Sequence, residues 1–249
     1  MEPEPTDILY GEIKLHQPPE GRGPRVSVDT VLLARFARVR ARARVMDLGC
    51  AHGAVGLIMA RRTPEAVFEG IDINPSLVEL ALRNARLNGL EERVSFSVSD
   101  LRAHRRNFTA ESYDAVVTNP PYDEPGTSRP SPDAAMATAM HGGQCALADV
   151  IACAKYLLRN RGKLFLVMRA KRLGELFCLL NRHNVKPKRM RAVHPKPGRV
   201  ASVVLVEASR ASGDGLVVEP PLFIYGADGN YTEELLDAYR LEEPGRCRL

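Results

Sequence analysis

An α/β fold, with a mostly parallel sheet and helices on both faces, is what this 249-residue chain predicts, and two observations predict it. Short apolar runs alternate with longer helical stretches, the order that builds βαβ units. Three of the runs end in an acid, Asp47, Asp72 and Asp100, and a fourth ends at Asn119. Polar groups therefore recur where strands hand over to loops, which is where open α/β sheets bind their ligands.

Taken in order, strands are expected near 44–48, 67–72, 94–98, 113–118 and 163–169, with later ones near 187–193 and 201–208. Helices are expected near 29–40, 54–62, 75–88, 145–159 and 171–183. Asp29 stands where it can cap the first helix or serve a ligand. The run Arg44–Leu48 enters a turn with the spacing D-x-G-x-A-x-G from Asp47 to Gly53, and glycines there let backbone approach a ligand closely. Ala51 interrupts the glycines; it is tolerated if its φ is negative and strained otherwise. Asp72, about 20 residues beyond the turn, suits the hydroxyls of a ribose. Asp100, at the end of Val94–Asp100, is placed to accept from an adenine amine. The segment 123–144 is rich in Pro, Gly, Ser and Ala and follows the fourth run directly. Long loops in that position are usually functional, and we read this one as a lid that orders with substrate.

The fourth run, Tyr113–Thr118, delivers Asn119-Pro120-Pro121-Tyr122. These residues suit methyl transfer to a planar amine. Such an amine is already neutral at pH 7, but its lone pair is delocalised, so it needs orientation more than a strong base. The Asn119 side-chain oxygen and the Pro120 carbonyl can accept its two protons together and favour the more tetrahedral nitrogen of the transition state. Pro120 and Pro121 stiffen the turn. Tyr122 offers a flat face to a base pulled from its stack and to a nearby sulfonium cation.

The glycine turn, the three strand-end acids and the Asn-Pro-Pro-Tyr site together resemble the class I S-adenosylmethionine-dependent methyltransferases. Flanking segments extend the resemblance to the bacterial tRNA(Val) adenine-N6-methyltransferase family: Pro24–Ala34, Arg129–Asp133, His194-Pro-Lys-Pro-Gly-Arg199, Pro220–Tyr225 and Asp228–Tyr231. The resemblance implies a Rossmann-like, seven-stranded sheet whose last strand inserts antiparallel. It implies Asp47, Gly49 and Gly53 on the methionine and ribose side of S-adenosylmethionine, Asp72 on the ribose, Asp100 and the Leu101 amide on the adenine, and Asn119–Tyr122 at the target base. The implied reaction is N6-methylation of the adenine 3′ of the anticodon. Methylation of a glutamine amide in release factors uses the same four residues, but that family carries a helical domain before the catalytic one. About 43 residues precede the first strand here, too few for one. A cofactor-binding RNA module without turnover is a further alternative.

Organisation and composition agree with this reading. The expected divisions are an N-terminal extension 1–43, a catalytic domain 44–209 and a C-terminal tail 210–249 packing on it. At 45% hydrophobic the chain can bury a full α/β core. Neither a membrane-spanning stretch nor a signal peptide is seen, so a cytoplasmic enzyme is expected. Cys50, Cys145, Cys153, Cys178 and Cys247 form no C-x-x-C pair, and the histidines show no ligand spacing, so no metal is expected. His52 is expected over the cofactor or in solvent, and His141 in the lid. The oligomeric state is left open. Between Arg159 and Arg199 stand thirteen Lys or Arg residues and one acid, Glu175, whereas Glu207–Leu249 carries nine acids and four basic residues. The first block implies a polyanion-binding face, with Arg129, Lys186, Lys188, Arg189 and Arg191 as candidate tRNA contacts and Arg35–Arg44 as a second cluster.

Overall fold

The protein's structure, a computed structural model, describes residues 5–120 and 145–240. The expected lid and His141, with Pro121, Tyr122, Arg129 and Cys247, lie outside the described residues.

The chain opens with a hairpin, β1 (Thr6–Ile8) and β2 (Ile13–Leu15), followed by helix α1 (Val28–Phe36). Three βα steps and a fourth strand follow: β3 (Arg44–Leu48), α2 (Ala54–Arg62), β4 (Val67–Asp72), α3 (Pro75–Leu87), β5 (Val94–Val98), the short α4 (His104–Asn107), and β6 (Tyr113–Thr118). Beyond the undescribed segment come α5 (Leu147–Leu157), β7 (Leu158–Arg169), α6 (Leu173–Arg182), β8 (Val185–His194) and β9 (Val203–Arg210). Two short strands, β10 (Val217–Val218) and β11 (Leu222–Phe223), and helix α7 (Glu233–Ala238) complete the described fold.

The main sheet has the order β10-β8-β9-β7-β6-β3-β4-β5, with β11 also on β8. β9 runs antiparallel between β7 and β8, as expected. The seven-stranded expectation is extended, because β10 and β11 pair parallel along the outer edge of β8. Those two-residue strands cover backbone groups that would otherwise template unwanted pairing. Pro187, which cannot donate to a ladder, sits at a register shift between β8 and β9, where its missing N–H costs least.

Apolar residues fill both faces of the sheet. On one side α1, α2 and α3 pack with Leu57, Ile58 and Phe68; on the other α5 and α6 pack with Leu164, Leu166 and Leu180, all fully buried or nearly so. The N-terminal hairpin joins the first of these clusters through Leu9, Ile13 and Leu15. Two asparagines one turn apart, Asn84 on α3 and Asn88 capping its C-terminus, strap it down: Asn88 Oδ1 accepts from Lys14 N at 2.9 Å, and Asn84 Oδ1 accepts from His16 N at 2.7 Å. Asn84 Nδ2 also donates to the His52 carbonyl at 2.9 Å, linking hairpin and glycine turn through one fully buried side chain.

Candidate active site at the carboxyl edge of the sheet

Register brings the expected site together. Leu48 pairs with both Ile71 and Thr118, and Asp72 pairs with Val98, so the ends of β3, β4, β5 and β6 lie side by side. Strand order reverses between β3 and β6, which makes this edge the switch point where doubly wound sheets hold nucleotides.

The turn after β3 is built for close approach. Gly49 N and Cys50 N both donate to the Ile71 carbonyl, at 2.9 and 3.0 Å, pinning the turn to β4. Gly49 (φ +72°) is exposed, and among the described residues a Cβ there would meet nothing within 4 Å, so the backbone can be approached closely. Gly53 (φ +85°) caps α2, and a Cβ there would fall 2.7 Å from Phe96 Cζ. Ala51 adopts φ +48°, the strained alternative. Its N–H donates to Asp72 Oδ2 at 2.9 Å, which holds it there.

Asp72 also accepts from Asn74 N through Oδ1 at 2.9 Å, so backbone donors orient its carboxylate while burial pushes its pKa upward. Asp100 is gripped by Arg102, whose Nε lies 3.0 Å from both oxygens and whose Nη2 lies 2.7 Å from Oδ2; the Arg102 N–H adds a bond of 2.9 Å to Oδ1. Leu101 follows in a 3-10 turn. Asn119 is half-buried and Pro120 buried directly after β6, and Thr118 Oγ1 donates to the Leu48 carbonyl at 2.8 Å, locking β6 to β3.

Two expectations, for His52 and Asp29, are corrected here. Asp47, at the end of β3 and just before the turn, is buried, 1% exposed. Burial raises its pKa to about 7, opposed by a hydrogen bond from the Gly56 N–H, with the charge of Asp72 adding a further rise; its Oδ2 has no hydrogen-bond partner among the described residues. His52 neither packs over the cleft nor faces solvent. It is buried, both ring nitrogens lack partners among the described residues, and burial, aided by Arg25, lowers its pKa to about 4. The first helix is capped by Ser27, leaving Asp29 within its first turn.

The Asp47 shift has a testable sign. A carboxyl raised from 3.8 to about 7 on folding gives stability that is complete below pH 4 and lost as pH rises to 7. Asp47→Asn is expected to flatten the dependence of Tm on pH across that window. A variant with the wild-type slope assigns the dependence to other groups.

The basic candidates on β8 are also re-read. Lys186 pairs with Asp214 at 3.1 Å and Lys188 donates to the Gly213 and Asp214 carbonyls at 3.2 Å. Arg191 pairs with Glu234 at 2.5 Å. Arg189 turns inward, pairing with Glu207 at 3.0 Å and Glu219 at 2.9 Å, donating to the Phe36 carbonyl and lying 3.8 Å over the Phe36 ring. A phosphate contact by Arg189 is therefore corrected to a structural role. Acids from Glu207 onward thus pair with Lys163, Lys186, Arg189 and Arg191 of the basic block. In the second cluster, Arg40, Arg42 and Arg44 likewise pair with Asp114, Glu65 and Glu69.

A doubly wound sheet with one antiparallel insertion and a glycine turn at its switch point defines a class I S-adenosylmethionine-dependent methyltransferase. Residues 25–193 match the model of the methyltransferase small domain family, and the chain belongs to that family. Within it, the chain is 30% identical over 192 residues to the tRNA1(Val) (adenine(37)-N6)-methyltransferase of Yersinia enterocolitica, covering 76% of this chain and 75% of the relative. The enzyme of that name from Aeromonas hydrophila is 28% identical over 85% of this chain and 87% of its own. Among solved structures, Atu636 of Agrobacterium tumefaciens, described as a predicted O-methyltransferase, superposes with a TM-score of 0.70 at 22% identity, over 88% of this chain and all of that one. That likeness speaks for the fold alone.

Proposed function

We propose that this protein methylates N6 of an adenine in tRNA, the adenine 3′ of the anticodon in tRNA(Val), using S-adenosylmethionine. The observation that carries the reading is the convergence of Asp72, Asp100 and Asn119 with the glycine turn on one edge of the sheet. The relatives' names supply the substrate class.

The residues present fit the cofactor. Exposed backbone at Gly49 can be approached closely by it, and Gly53 keeps the turn tight. When bound, S-adenosylmethionine supplies a methyl group made electrophilic by its sulfonium. Asp72 is oriented to accept from ribose hydroxyls. Asp100, held by Arg102, and the Leu101 amide face the adenine side. Asp47, buried at the end of β3, stands with Gly49 and Gly53 on the methionine and ribose side. Asn119 and the Pro120 carbonyl accept hydrogen bonds from the two N–H groups of the target amine and turn its lone pair toward the methyl carbon. Pro121 and Tyr122, outside the described residues, serve the target base in this reading. We assign 44–209 to the catalytic domain, with 1–43 and 210–249 packed on it, and place the enzyme in the cytoplasm with its substrate.

The test is incubation with labelled cofactor and either total tRNA or peptide release factor, followed by nucleoside and amino-acid mass spectrometry. N6-methyladenosine in the anticodon loop is expected. Methylglutamine with unlabelled RNA would overturn the reading. Asp72→Ala is expected to weaken cofactor binding by about 1.5–3 kcal/mol in calorimetry, since it removes a charged acceptor. An unchanged dissociation constant would move the ribose elsewhere.

A further inference from the structure

Three segments singled out by the sequence stand beyond the residues matched by the family model and take no part in the chemistry above: His194–Arg199, Pro220–Tyr225 and Asp228–Tyr231. The fold gathers them at one place. Val193 and Arg169 both pair with Val203, so the loop between β8 and β9 rises from the same sheet edge as Asn119, on the side away from Asp72 and Asp100. Three strand spacings, about 14 Å, separate β6 from β8.

The loop is stiff and its charges point to solvent. Pro195 and Pro197 restrict it, Arg199 N donates to the Lys196 carbonyl at 3.1 Å, and the His194 ring meets the Arg199 carbonyl at 2.7 Å. Ser202 closes it on β8 by donating to the Val193 carbonyl at 2.9 Å, while Ala170 N, just after β7, donates to Ser202 O at 3.1 Å. Lys196 and Arg199 are exposed and make no ion pair among the described residues, unlike Lys186, Arg189 and Arg191 on the strand before them. Val200 is 87% exposed.

Against this loop stand two aromatic rings. Tyr225 N donates to the Pro195 carbonyl at 2.9 Å, and the Tyr225 and Tyr231 rings stack with centroids 5.0 Å apart at 18°. They remain 39% and 50% exposed. The nearby Asp228 is turned into its own loop, accepting from Asn230 N and Nδ2. Exposed cations beside exposed flat rings, on an edge shared with the reacting amine, match a single-stranded nucleic acid segment, whose phosphates and unpaired bases need these two kinds of partner.

We propose that the loop Pro195–Val200 and the Tyr225–Tyr231 pair form the docking surface for the tRNA strand next to the target adenine, with Lys196 and Arg199 on phosphates and the tyrosine rings on an unpaired base. This rests on the tRNA reading above and replaces β8 with the loop that follows it as the principal RNA contact.

The test measures tRNA affinity against salt, cofactor affinity, and methyl transfer in the full-length protein. Lys196→Ala/Arg199→Ala is expected to flatten the slope of log affinity against log salt by about 1.4–1.8, at about 0.7–0.9 for each phosphate no longer neutralised. Tyr225→Ala/Tyr231→Ala is expected to weaken tRNA binding about 5- to 150-fold, the range of one stacked base, while the double Phe variant stays near wild type. Cofactor dissociation constants should be unchanged in all three. The loop charges lie on the surface, so their variant reads the proposal even if the Ala pair at the tyrosines unfolds. A wild-type salt slope and affinity in Lys196→Ala/Arg199→Ala, with methyladenosine still formed, would overturn this surface and leave the activity standing. Absence of methyladenosine from the wild-type reaction would instead remove the tRNA reading itself.

Discussion

Asn119→Ala is expected to bind S-adenosylmethionine nearly as tightly as wild type and to transfer the methyl group about 100- to 1000-fold more slowly. The ground for separating the two effects is where Asn119 sits. It follows β6, beyond the β3, β4 and β5 ends that carry the cofactor-side residues, and its backbone is fixed by the Thr118 bond to the Leu48 carbonyl. Truncating the side chain leaves that anchor in place. What disappears is one oriented acceptor for a proton that becomes more acidic as the amine attacks, and removing a single preorganised group of this kind typically costs two to three decades. Calorimetry with cofactor and single-turnover transfer to tRNA report the two quantities independently. Transfer at the wild-type rate would remove Asn119 from the mechanism, and a much weaker cofactor affinity would make it a binding residue.

What the sequence revealed, and what it hid, follows the range of the interactions involved. The bounds of β3, β4, β5, β6 and α2 are those expected, because each parallel strand is a short apolar run closed by a strand-end polar residue or a turn. The hairpin of β1 and β2 leaves no such signal. Its three-residue strands are held by Asn84 and Asn88, 68 and 74 residues away, so only the folded chain shows why they pair. β10 and β11 are shorter still and exist because β8 offers an edge. At the site, residue types at strand ends declare themselves, whereas the depth of Asp47 and the burial of His52 do not, since neither composition nor spacing encodes which side of a turn a side chain takes. Whether Ala51 is relaxed or strained depends on its φ, and the value of +48° decides for strain. Charge behaves in the same way: the basic and acidic blocks are visible as counts, but their mutual pairing, such as Arg191 with Glu234, spans 43 residues.

That pairing supports the second large effect, a loss of stability on removing Arg189. Its guanidinium lies between two carboxylates, with side-chain exposures of 16% for Arg189, 9% for Glu207 and 26% for Glu219, and it also satisfies the Phe36 carbonyl of α1. One side chain thus joins β8, β9, the tail and α1. Breaking a buried pair by deleting one partner costs about 3–5 kcal/mol, and the low end applies because Lys163 still holds Glu207 at 2.7 Å. For a chain of this size about 3 kcal/mol lowers Tm by roughly 6–12 °C. Arg189→Lys is expected to recover only part of it, since an ammonium cannot reach both carboxylates and the carbonyl as the planar fork does. The effect carries a pH signature. Although burial raises the Glu207 pKa, Lys163 and Arg189 pull it below its ordinary 4.5. The pair's contribution is therefore present above pH 4.5 and lost as pH falls through the lower folded value, so the gap between wild type and Arg189→Ala should narrow on acidification. Denaturant unfolding at pH 7 and in the acid range measures this directly. Full stability at pH 7, together with a flattened salt slope for tRNA, would return Arg189 to the RNA surface and leave the basic block of β8 as its principal contact.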